Sequence, residues 1–293
     1  MDCNDTAFAA FAASCEAAHT QRIARIAERV AARAPIVRLV LVSGPSSAGK
    51  TTTAIRLVSA MEREGIGAMR LSTDDYFVGN ARNPRRADGE YDYETIEAVD
   101  SPRLRADLAR LLAGEHATLR KFDFRRHEGF DSPEPVSLPP SSVIVLEGIH
   151  ALNPILTEGM DELCKFRVYI NVLTAPEPFT PEEIRLVRRL VRDRAHRASS
   201  AQETFAAWPF VLEGEEKWIN PTRRYADAVF NTALAYEPHI TAKHALPLLE
   251  EAASLPAARA LAAKFAHFAP QPDSSVPGDS LLRETIGGGV LEY

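Results

Sequence analysis

Short apolar runs alternate along the chain with longer segments in which apolar residues recur every three or four positions. The runs have the length of strands that are buried on both faces, and the longer segments are typical of amphipathic helices. Strands that alternate with helices predict an α/β fold with a doubly wound, mostly parallel sheet. The predicted strands cover residues 36–42, 67–72, 143–146, 166–172 and 228–230, and the predicted helices cover 6–34, 51–64, 101–113, 182–197 and 200–212.

A phosphate-binding motif lies between the first predicted strand and the helix that follows it. Residues 44–51 read Gly-Pro-Ser-Ser-Ala-Gly-Lys-Thr and match G-x-x-x-x-G-K-[ST] without a gap. In this setting main-chain N–H groups and the positive end of the helix dipole converge on phosphate oxygens. Gly44 and Gly49 allow the main chain to curl and approach closely, because they carry no Cβ.

The motif therefore predicts a site for a nucleoside triphosphate. Lys50 is expected to reach the β- and γ-phosphates, and the Thr51 hydroxyl is expected to help hold Mg²⁺. A chance glycine-serine loop is the alternative, but the strand before the motif and the helix after it argue against that interpretation. The predicted nucleotide-binding residues are Gly44, Ser46, Ser47, Ala48, Gly49, Lys50, Thr51 and Thr52.

Composition and charge narrow the class of partner. Of the 293 residues, 45% are apolar and 25% are charged, which is ample for a core. The net charge of −6 argues against sequence-independent nucleic-acid binding, which needs a basic surface. No apolar run approaches the roughly 18 residues of a membrane span, and the first residues lack the features of a secretory signal. We expect a small-molecule partner, without nucleic acid or membrane, and leave a homo-oligomer open.

Cysteine usage bears on the compartment. Cys3, Cys15 and Cys164 are odd in number and lack the spacing of metal ligands. A disulfide framework is therefore not expected, and the compartment that fits is a reducing cytoplasm.

Acidic residues follow two of the other predicted strands, where ligands bind in doubly wound sheets. Asp74 and Asp75 follow the second strand. Either can orient an acceptor hydroxyl and accept its proton during phosphoryl transfer, while the other serves the metal. A turn or helix cap is the alternative. Glu147 ends the third strand and is predicted to bind Mg²⁺ directly or through water, although a surface glutamate is also compatible with the pattern.

Four arginines share one side of the helix predicted at 182–197. Arg185, Arg188, Arg189 and Arg192 are separated by offsets of three, four and seven residues. Such a row is either a solvated face or a lid that closes over phosphates and stabilises their charge. Because this helix has no comparable acidic row, we favour the lid.

Two signatures of other nucleotide-binding classes are missing from the sequence. We find no Asn-Lys-x-Asp element for guanine recognition and no Leu-Ser-Gly-Gly signature of transporter ATPases. The order of the remaining motifs instead resembles the uridine/cytidine kinase branch of the uridine kinase–phosphoribulokinase superfamily. The resemblance runs from about residue 36 to 249 and rests on the segments 44–51, 72–77, 88–94, 121–124, 146–150, 188–193 and 225–227.

The narrower resemblance is to bacterial and archaeal nucleoside kinases that often follow a threonyl-tRNA-synthetase-like N-terminal region. Residues 6–34 resemble the helix that leads into the kinase in those relatives, and we do not expect the upstream region here. The resemblance implies a P-loop NTPase fold with a helical lid and a small substrate-binding insertion. We expect an N-terminal helix at 1–35, a kinase domain at 36–250 with its insertion at about 76–135 and its lid at about 182–218, and a C-terminal helix with a flexible tail at 251–293. The tail past Pro270 is rich in Pro, Ser, Asp and Gly.

The resemblance also assigns roles to single residues. It makes Asp74 the base for a ribose 5′-hydroxyl and places it beside the metal held by Thr51 and Glu147. It gives Lys50, Arg192 and Arg197 catalytic roles and implies ATP and Mg²⁺, while GTP stays open as donor. Glu94 takes the place of a ribose-holding carboxylate that is usually Asp. The implied substrate-binding residues are Asp75, Tyr76, Phe77, Tyr93, Glu94, Phe122, Phe124, His127 and Arg189.

Each of these substrate-binding assignments has an alternative. An aromatic residue can simply pack in the core, and a histidine in a polar loop can simply be exposed. The sequence also departs from the family after Arg197, where Ala198-Ser199-Ser200 replaces a glycine and a second arginine, and Ala207 replaces a base-reading glutamine. A pocket without those groups rejects other substrates weakly.

The leading interpretation is an ATP-dependent kinase that phosphorylates a pyrimidine nucleoside at its 5′-hydroxyl. One alternative keeps the fold and changes the acceptor, as in a phosphoribulokinase-like or pantothenate-kinase-like enzyme. The other is a nucleotide-binding regulatory module with little catalysis.

Overall fold

A five-stranded parallel sheet forms the centre of the fold. The computed structural model describes residues 3–124 and 126–292, with the side chains of residues 6–124 and 126–292. The sheet consists of β1 (Leu39–Ser43), β2 (Ala68–Ser72), β5 (Val143–Glu147), β6 (Lys165–Asn171) and β7 (Ala228–Asn231). Its strand order is β2-β5-β1-β6-β7, and every neighbouring pair is parallel. A separate antiparallel hairpin pairs β3 (Arg120–Asp123) with β4 (Glu128–Asp131).

Helices pack on both faces of the sheet and on one another. They are α1 (Cys3–Ala31), α2 (Lys50–Arg63), α3 (Ser101–Leu112), α4 (Pro181–Arg197), α5 (Ala201–Gly214), α6 (Glu237–Glu251), α7 (Pro256–Lys264) and the single turn α8 (Arg283–Ile286). Thr180 caps α4 and Ser200 caps α5, each in a capping box with a glutamate three residues later.

Successive side chains of β1 point to opposite faces of the sheet, as a strand requires. Leu39 and Leu41 pack with α3, whereas Val40 and Val42 pack with α1 and α2. All four side chains are buried, so a continuous apolar run is what this strand needs. The alternation explains why the sheet is covered on both sides.

The predicted α/β fold is confirmed. Each predicted strand of the sheet is present, with bounds that differ by three residues at most. The hairpin β3–β4 and the helix α6 were not among the predicted elements. The hairpin strands are four residues long and partly exposed, so they carry no continuous apolar run.

The C-terminal segment differs from the flexible tail that its composition predicts. Val276, Leu281 and Leu282 are buried in a cluster with residues of α1 and of the start of α6. The Arg283 guanidinium donates to the backbone carbonyls of Asp273 (2.9 Å), Pro277 (3.2 Å) and Gly287 (3.1 Å). The small polar residues therefore form tight turns that pack on the domain.

Candidate active site

The phosphate loop, residues 44–49, joins the end of β1 to the start of α2. Ser47 (φ 58°) and Gly49 (φ 83°) adopt left-handed backbone conformations that turn the chain into the helix. A Cβ on Gly44 would overlap the carbonyl oxygen of Ile170, so the loop packs directly on β6. The first amides of α2 lack partners within the helix and are available to an anion. The glycines are thus needed at both ends of the loop, as the motif predicts.

Lys50 begins α2 and lies among carboxylates. Its ammonium donates to the carbonyl of Pro45 at 2.9 Å. Burial lowers the pKa of Lys50, and the charges of Glu147 and Asp74 oppose this effect. The structure therefore brings the motif lysine together with both predicted carboxylates.

The two carboxylates come from neighbouring strands. Ser72 at the end of β2 pairs in register with Glu147 at the end of β5, and Asp74 follows two residues after Ser72. Desolvation raises the pKa of Glu147 to about 7, and the charge of Asp74 contributes to the shift. Desolvation also raises the pKa of Asp74, against the charges of Lys50 and Arg197. Two buried carboxylates that repel each other form a favourable place for a cation.

Asp75 points elsewhere. Its carboxylate accepts a hydrogen bond from Nζ of Lys121 in β3 at 2.8 Å. Of the two neighbouring aspartates, Asp74 thus lies near Lys50 of the phosphate-binding motif, while Asp75 forms an ion pair with the hairpin.

The metal site would be incomplete without a ligand. Within the described part of the chain, no three His, Cys, Asp or Glu side chains are grouped to hold a metal by themselves. This fits Mg²⁺, which is usually held by one or two carboxylates together with waters and substrate phosphates. Thr51, Asp74 and Glu147 provide such a partial oxygen set.

An aromatic cluster connects Phe77, which directly follows the turn that holds Asp74, with the hairpin. Phe77 packs edge-on against Tyr93, Phe122 and Phe124, with ring centroids 6.2, 5.6 and 6.3 Å away. His127 stacks on Tyr93 at 6.0 Å, and the Tyr93 hydroxyl lies 3.3 Å from His127 Nδ1. The structure thus joins four of the five aromatic residues that the resemblance predicts to enclose the acceptor, together with His127, which it predicts to contact the base.

Tyr76 does not belong to this cluster. Its side chain is buried, and its hydroxyl donates to Asp107 of α3 at 3.1 Å. The predicted substrate-binding role of Tyr76 is therefore corrected to core packing.

Glu94 and His150 carry buried polar atoms that lack partners. Among the described residues, neither Oε2 of Glu94 nor either ring nitrogen of His150 has a hydrogen-bond partner. Desolvation raises the pKa of Glu94 to about 7 and lowers the pKa of His150 to about 4. The backbone of Thr95 and Glu94 lies near the His150 ring and partly opposes its shift, without hydrogen bonds of normal geometry. Such orphaned groups point to an absent ligand or water.

The arginines of α4 fall into two groups. Arg189 donates to the Ser46 hydroxyl at 2.9 Å. Asp193 gathers the guanidinium groups of Arg189 (3.2 Å), Arg192 (2.9 Å) and Arg197 (3.5 Å). Desolvation and the charge of Arg192 lower the pKa of both Arg189 and Arg197. Three guanidinium groups that share one carboxylate leave positive charge available for an anion.

The other two arginines contradict the predicted lid row. Arg185 and Arg188 are buried, and they pair with Glu215 (2.8 Å) and Glu237 (2.6 Å). Arg185 also donates to the carbonyl of Ser46 (3.3 Å), and Arg188 donates to that of Ser47 (3.4 Å). They therefore brace the phosphate loop from behind.

Sequence reasoning missed three residues at the site. His150 carried a signal, since it follows Glu147 by three residues at the end of a strand. Leu281 and Glu284 carried none, since they lie more than 220 residues after the phosphate loop. Leu281 packs against Gly49, and the Thr52 hydroxyl donates to Glu284 at 2.8 Å.

The parallel sheet, the phosphate loop and the carboxylates at its edge define a P-loop phosphotransferase. Residues 39–235, more than half of the chain, match the Phosphoribulokinase / Uridine kinase family. The chain belongs to this family and is a phosphotransferase with an alcohol acceptor. The family in general uses ATP and Mg²⁺.

Similar curated proteins are uridine kinases. The uridine kinase of Lactobacillus helveticus is 30% identical over 192 residues, which are 65% of this chain and 84% of that protein. The uridine kinase of Deinococcus deserti is 28% identical, over 67% of this chain and 88% of that protein. These comparisons do not support the narrower likeness to relatives with a threonyl-tRNA-synthetase-like region.

A solved structure shares the fold. The putative fructose transport system kinase from Silicibacter sp. TM1040 has a TM-score of 0.51 and 19% identity, over 71% of this chain and 98% of that chain. At this identity the likeness shows the fold alone.

In the described part of the chain, no helix has the length and apolar character needed to cross a membrane.

Proposed function

We propose that this protein transfers the γ-phosphoryl group of ATP to the 5′-hydroxyl of a pyrimidine nucleoside, with uridine or cytidine as acceptor. The products would be ADP and the nucleoside 5′-monophosphate. The observation that carries the proposal is that Asp74, in the turn after β2, and Lys50, the first residue of α2, lie close enough for their charges to shift each other's pKa.

The donor side is built from the phosphate loop and α4. The amides of residues 46–52 and the Lys50 ammonium would hold the β- and γ-phosphates. Arg189 donates to the Ser46 hydroxyl, Arg192 lines a cavity with Ser47 and Gly49, and the charge of Arg197 acts on Asp74. We assign them to the charge that develops on the transferring group.

Asp74 supplies the base on the acceptor side. Its carboxylate would accept the proton of the 5′-hydroxyl while the hydroxyl oxygen bonds to the γ-phosphorus and the bond from that phosphorus to ADP breaks. The raised pKa of Asp74 makes it a better proton acceptor than an ordinary aspartate. Mg²⁺, held by Thr51 and Glu147 with Asp74 nearby, would neutralise phosphate charge when bound.

The aromatic cluster and Glu94 favour a nucleoside as the acceptor. Phe77 and Phe122 are buried and support the rings of Phe124 and Tyr93, which are more exposed and offer a surface for a base. The unpartnered oxygen of Glu94 can accept from sugar hydroxyls, and the His150 ring lies near the backbone of the same residue. Uridine kinases among the similar proteins support the same choice.

A panel of acceptors tests the proposal. The protein with ATP and Mg²⁺ is offered uridine, cytidine, a purine nucleoside, ribulose 5-phosphate and pantothenate, and ADP formation and product structure are measured. We expect a pyrimidine nucleoside to exceed the non-nucleoside alcohols in kcat/KM by at least about tenfold, with phosphate on the 5′-oxygen. A preferred sugar phosphate or vitamin alcohol would contradict the acceptor. ATP binding without any phosphorylated acceptor would contradict the activity.

A further inference from the structure

Residues 280–285, here called the C-terminal cap, lie directly on the phosphate loop. The Leu281 side chain fills the space beside Gly49, where even a Cβ would overlap it. The Thr52 hydroxyl donates to the Glu284 carboxylate at 2.8 Å. Gly49 ends the loop and Thr52 lies in the first turn of α2, so the cap covers the helix N-terminus that the donor phosphates need.

Little space remains between the cap and the loop. The cavity there has a volume of about 10 Å³, and its lining includes Gly49, Arg192, Leu281 and Glu284. A cavity of that size holds one water at most. A phosphate group that approaches Gly49 and Thr52 from this side therefore meets the cap.

The charge of Glu284 also opposes the binding of a phosphate at this position. The Glu284 carboxylate lies near enough to Lys50 to oppose the drop in the pKa of that lysine. It thus neutralises part of the positive charge at this position, as a phosphate would. A phosphate brought to the same place would meet a like charge at short range.

The cap is also firmly attached. Leu282 and Ser280 are fully buried, and the Ser280 hydroxyl donates to Glu16 of α1. Backbone carbonyls of residues 273–287 accept from Arg283. Its closed position is therefore a defined state of the folded protein, which must open at a cost.

We propose that the C-terminal cap is an intramolecular competitor of the nucleotide, which occupies the donor site in the nucleotide-free protein and is displaced when ATP binds. The proposal rests on the donor site of the proposed function and is independent of the acceptor. When only a fraction of molecules is open, the apparent Kd for the donor rises by the inverse of that fraction. Weakening the closed state should then tighten ATP binding.

The test is the Kd of Mg²⁺ with a non-hydrolysable ATP analogue, measured by calorimetry without any acceptor. In Glu284→Gln a neutral group replaces the charged partner of Thr52, and we expect the Kd to fall by about tenfold, since hydrogen bonds to charged groups are the stronger ones. Asp279→Asn is the matched control, because Asp279 directly precedes the cap, is exposed and carries the same charge. We expect its Kd to equal that of the wild type.

An unchanged or larger Kd in Glu284→Gln would overturn the proposal. A larger Kd would show instead that the cap forms part of the donor pocket and contributes to binding. Hydrogen exchange of the wild type provides a second measurement that requires no variant. The analogue should speed the exchange of the amides of residues 280–287, and protection of these amides would contradict displacement.

Lys50→Ala separates this proposal from the proposed function. If Lys50→Ala leaves the Kd for the analogue unchanged, the assignment of the phosphate loop as the donor site is wrong. If it weakens binding while Glu284→Gln does not tighten it, only the competing role of the cap fails.

Discussion

Single carboxylates decide the chemistry of this site, and their surroundings differ sharply. The sequence left Asp74 and Asp75 as equal candidates for the base from spacing alone. Their surroundings in the structure differ, because Asp75 accepts a hydrogen bond from Lys121, whereas the charges of Lys50 and Arg197 act on the pKa of Asp74. No local pattern could reveal this, since Lys121 lies 46 residues further along the chain.

Glu94 gives a pH-dependent prediction at the same scale. Desolvation raises its pKa from the ordinary 4.5 to about 7, so between these values the folded protein binds its proton more tightly than the unfolded chain does. The free energy of unfolding of the ligand-free protein should therefore fall as pH rises from 4.5 to 7. Glu147 titrates in the same range, so the effect of Glu94 must be isolated by substitution.

In Glu94→Gln the side chain stays neutral at every pH. We expect its unfolding free energy in urea to match the wild type at pH 5 and to exceed it by about 1–3 kcal/mol at pH 8. An equal difference at the two pH values would show that Glu94 is not desolvated as described.

Among the secondary-structure elements, α4 shows best which structural features the sequence predicts and which it does not. Helical spacing predicted correctly that four of its arginines share one side. It could not show that Arg185 and Arg188 are buried, because their partners Glu215 and Glu237 lie 30 and 49 residues away. The inference from the missing acidic row failed for that reason, and the lid role of Arg189 and Arg192 stays a prediction.

The two groups of arginines should respond differently to substitution. Arg188→Met leaves the buried Glu237 carboxylate without its partner, so we expect a loss of about 3–5 kcal/mol in unfolding free energy. Arg192→Met should change stability by less than about 1 kcal/mol and lower kcat by about 10²-fold. Urea unfolding and steady-state kinetics on the two variants provide the comparison.

The double variant Arg188→Met/Glu237→Gln is the control for this reasoning, because it removes the unpaired charge. It should recover part of the stability that Arg188→Met loses. If Arg188→Met is as stable as Arg192→Met, Arg188 does not brace the phosphate loop as described.

Across the whole molecule, the sequence predicted the sheet well and the C-terminal segment poorly. Buried parallel strands are continuous apolar runs, so β1, β5 and β6 are visible without a structure. The segment past Pro270 looks disordered by composition, yet Leu282 and Val276 pack against α1 and the start of α6. Their contacts span most of the chain and leave no local pattern, which is why the C-terminal cap was missed.

The central claim concerns the whole molecule, because the order of the strands in the sheet decides whether Asp74 lies near the phosphate loop. Asp74 follows β2, the loop follows β1, and β5 lies between these two strands. The most direct test is Asp74→Asn, with Asp75→Asn as the matched control, assayed for uridine phosphorylation and for binding of the ATP analogue. We predict that Asp74→Asn keeps the Kd for the analogue within a few-fold and lowers kcat by about 10²-fold or more. Asp75→Asn should retain most of the turnover. Full turnover in Asp74→Asn would contradict the account, because the proposed transfer requires the Asp74 carboxylate to accept the proton of the acceptor hydroxyl.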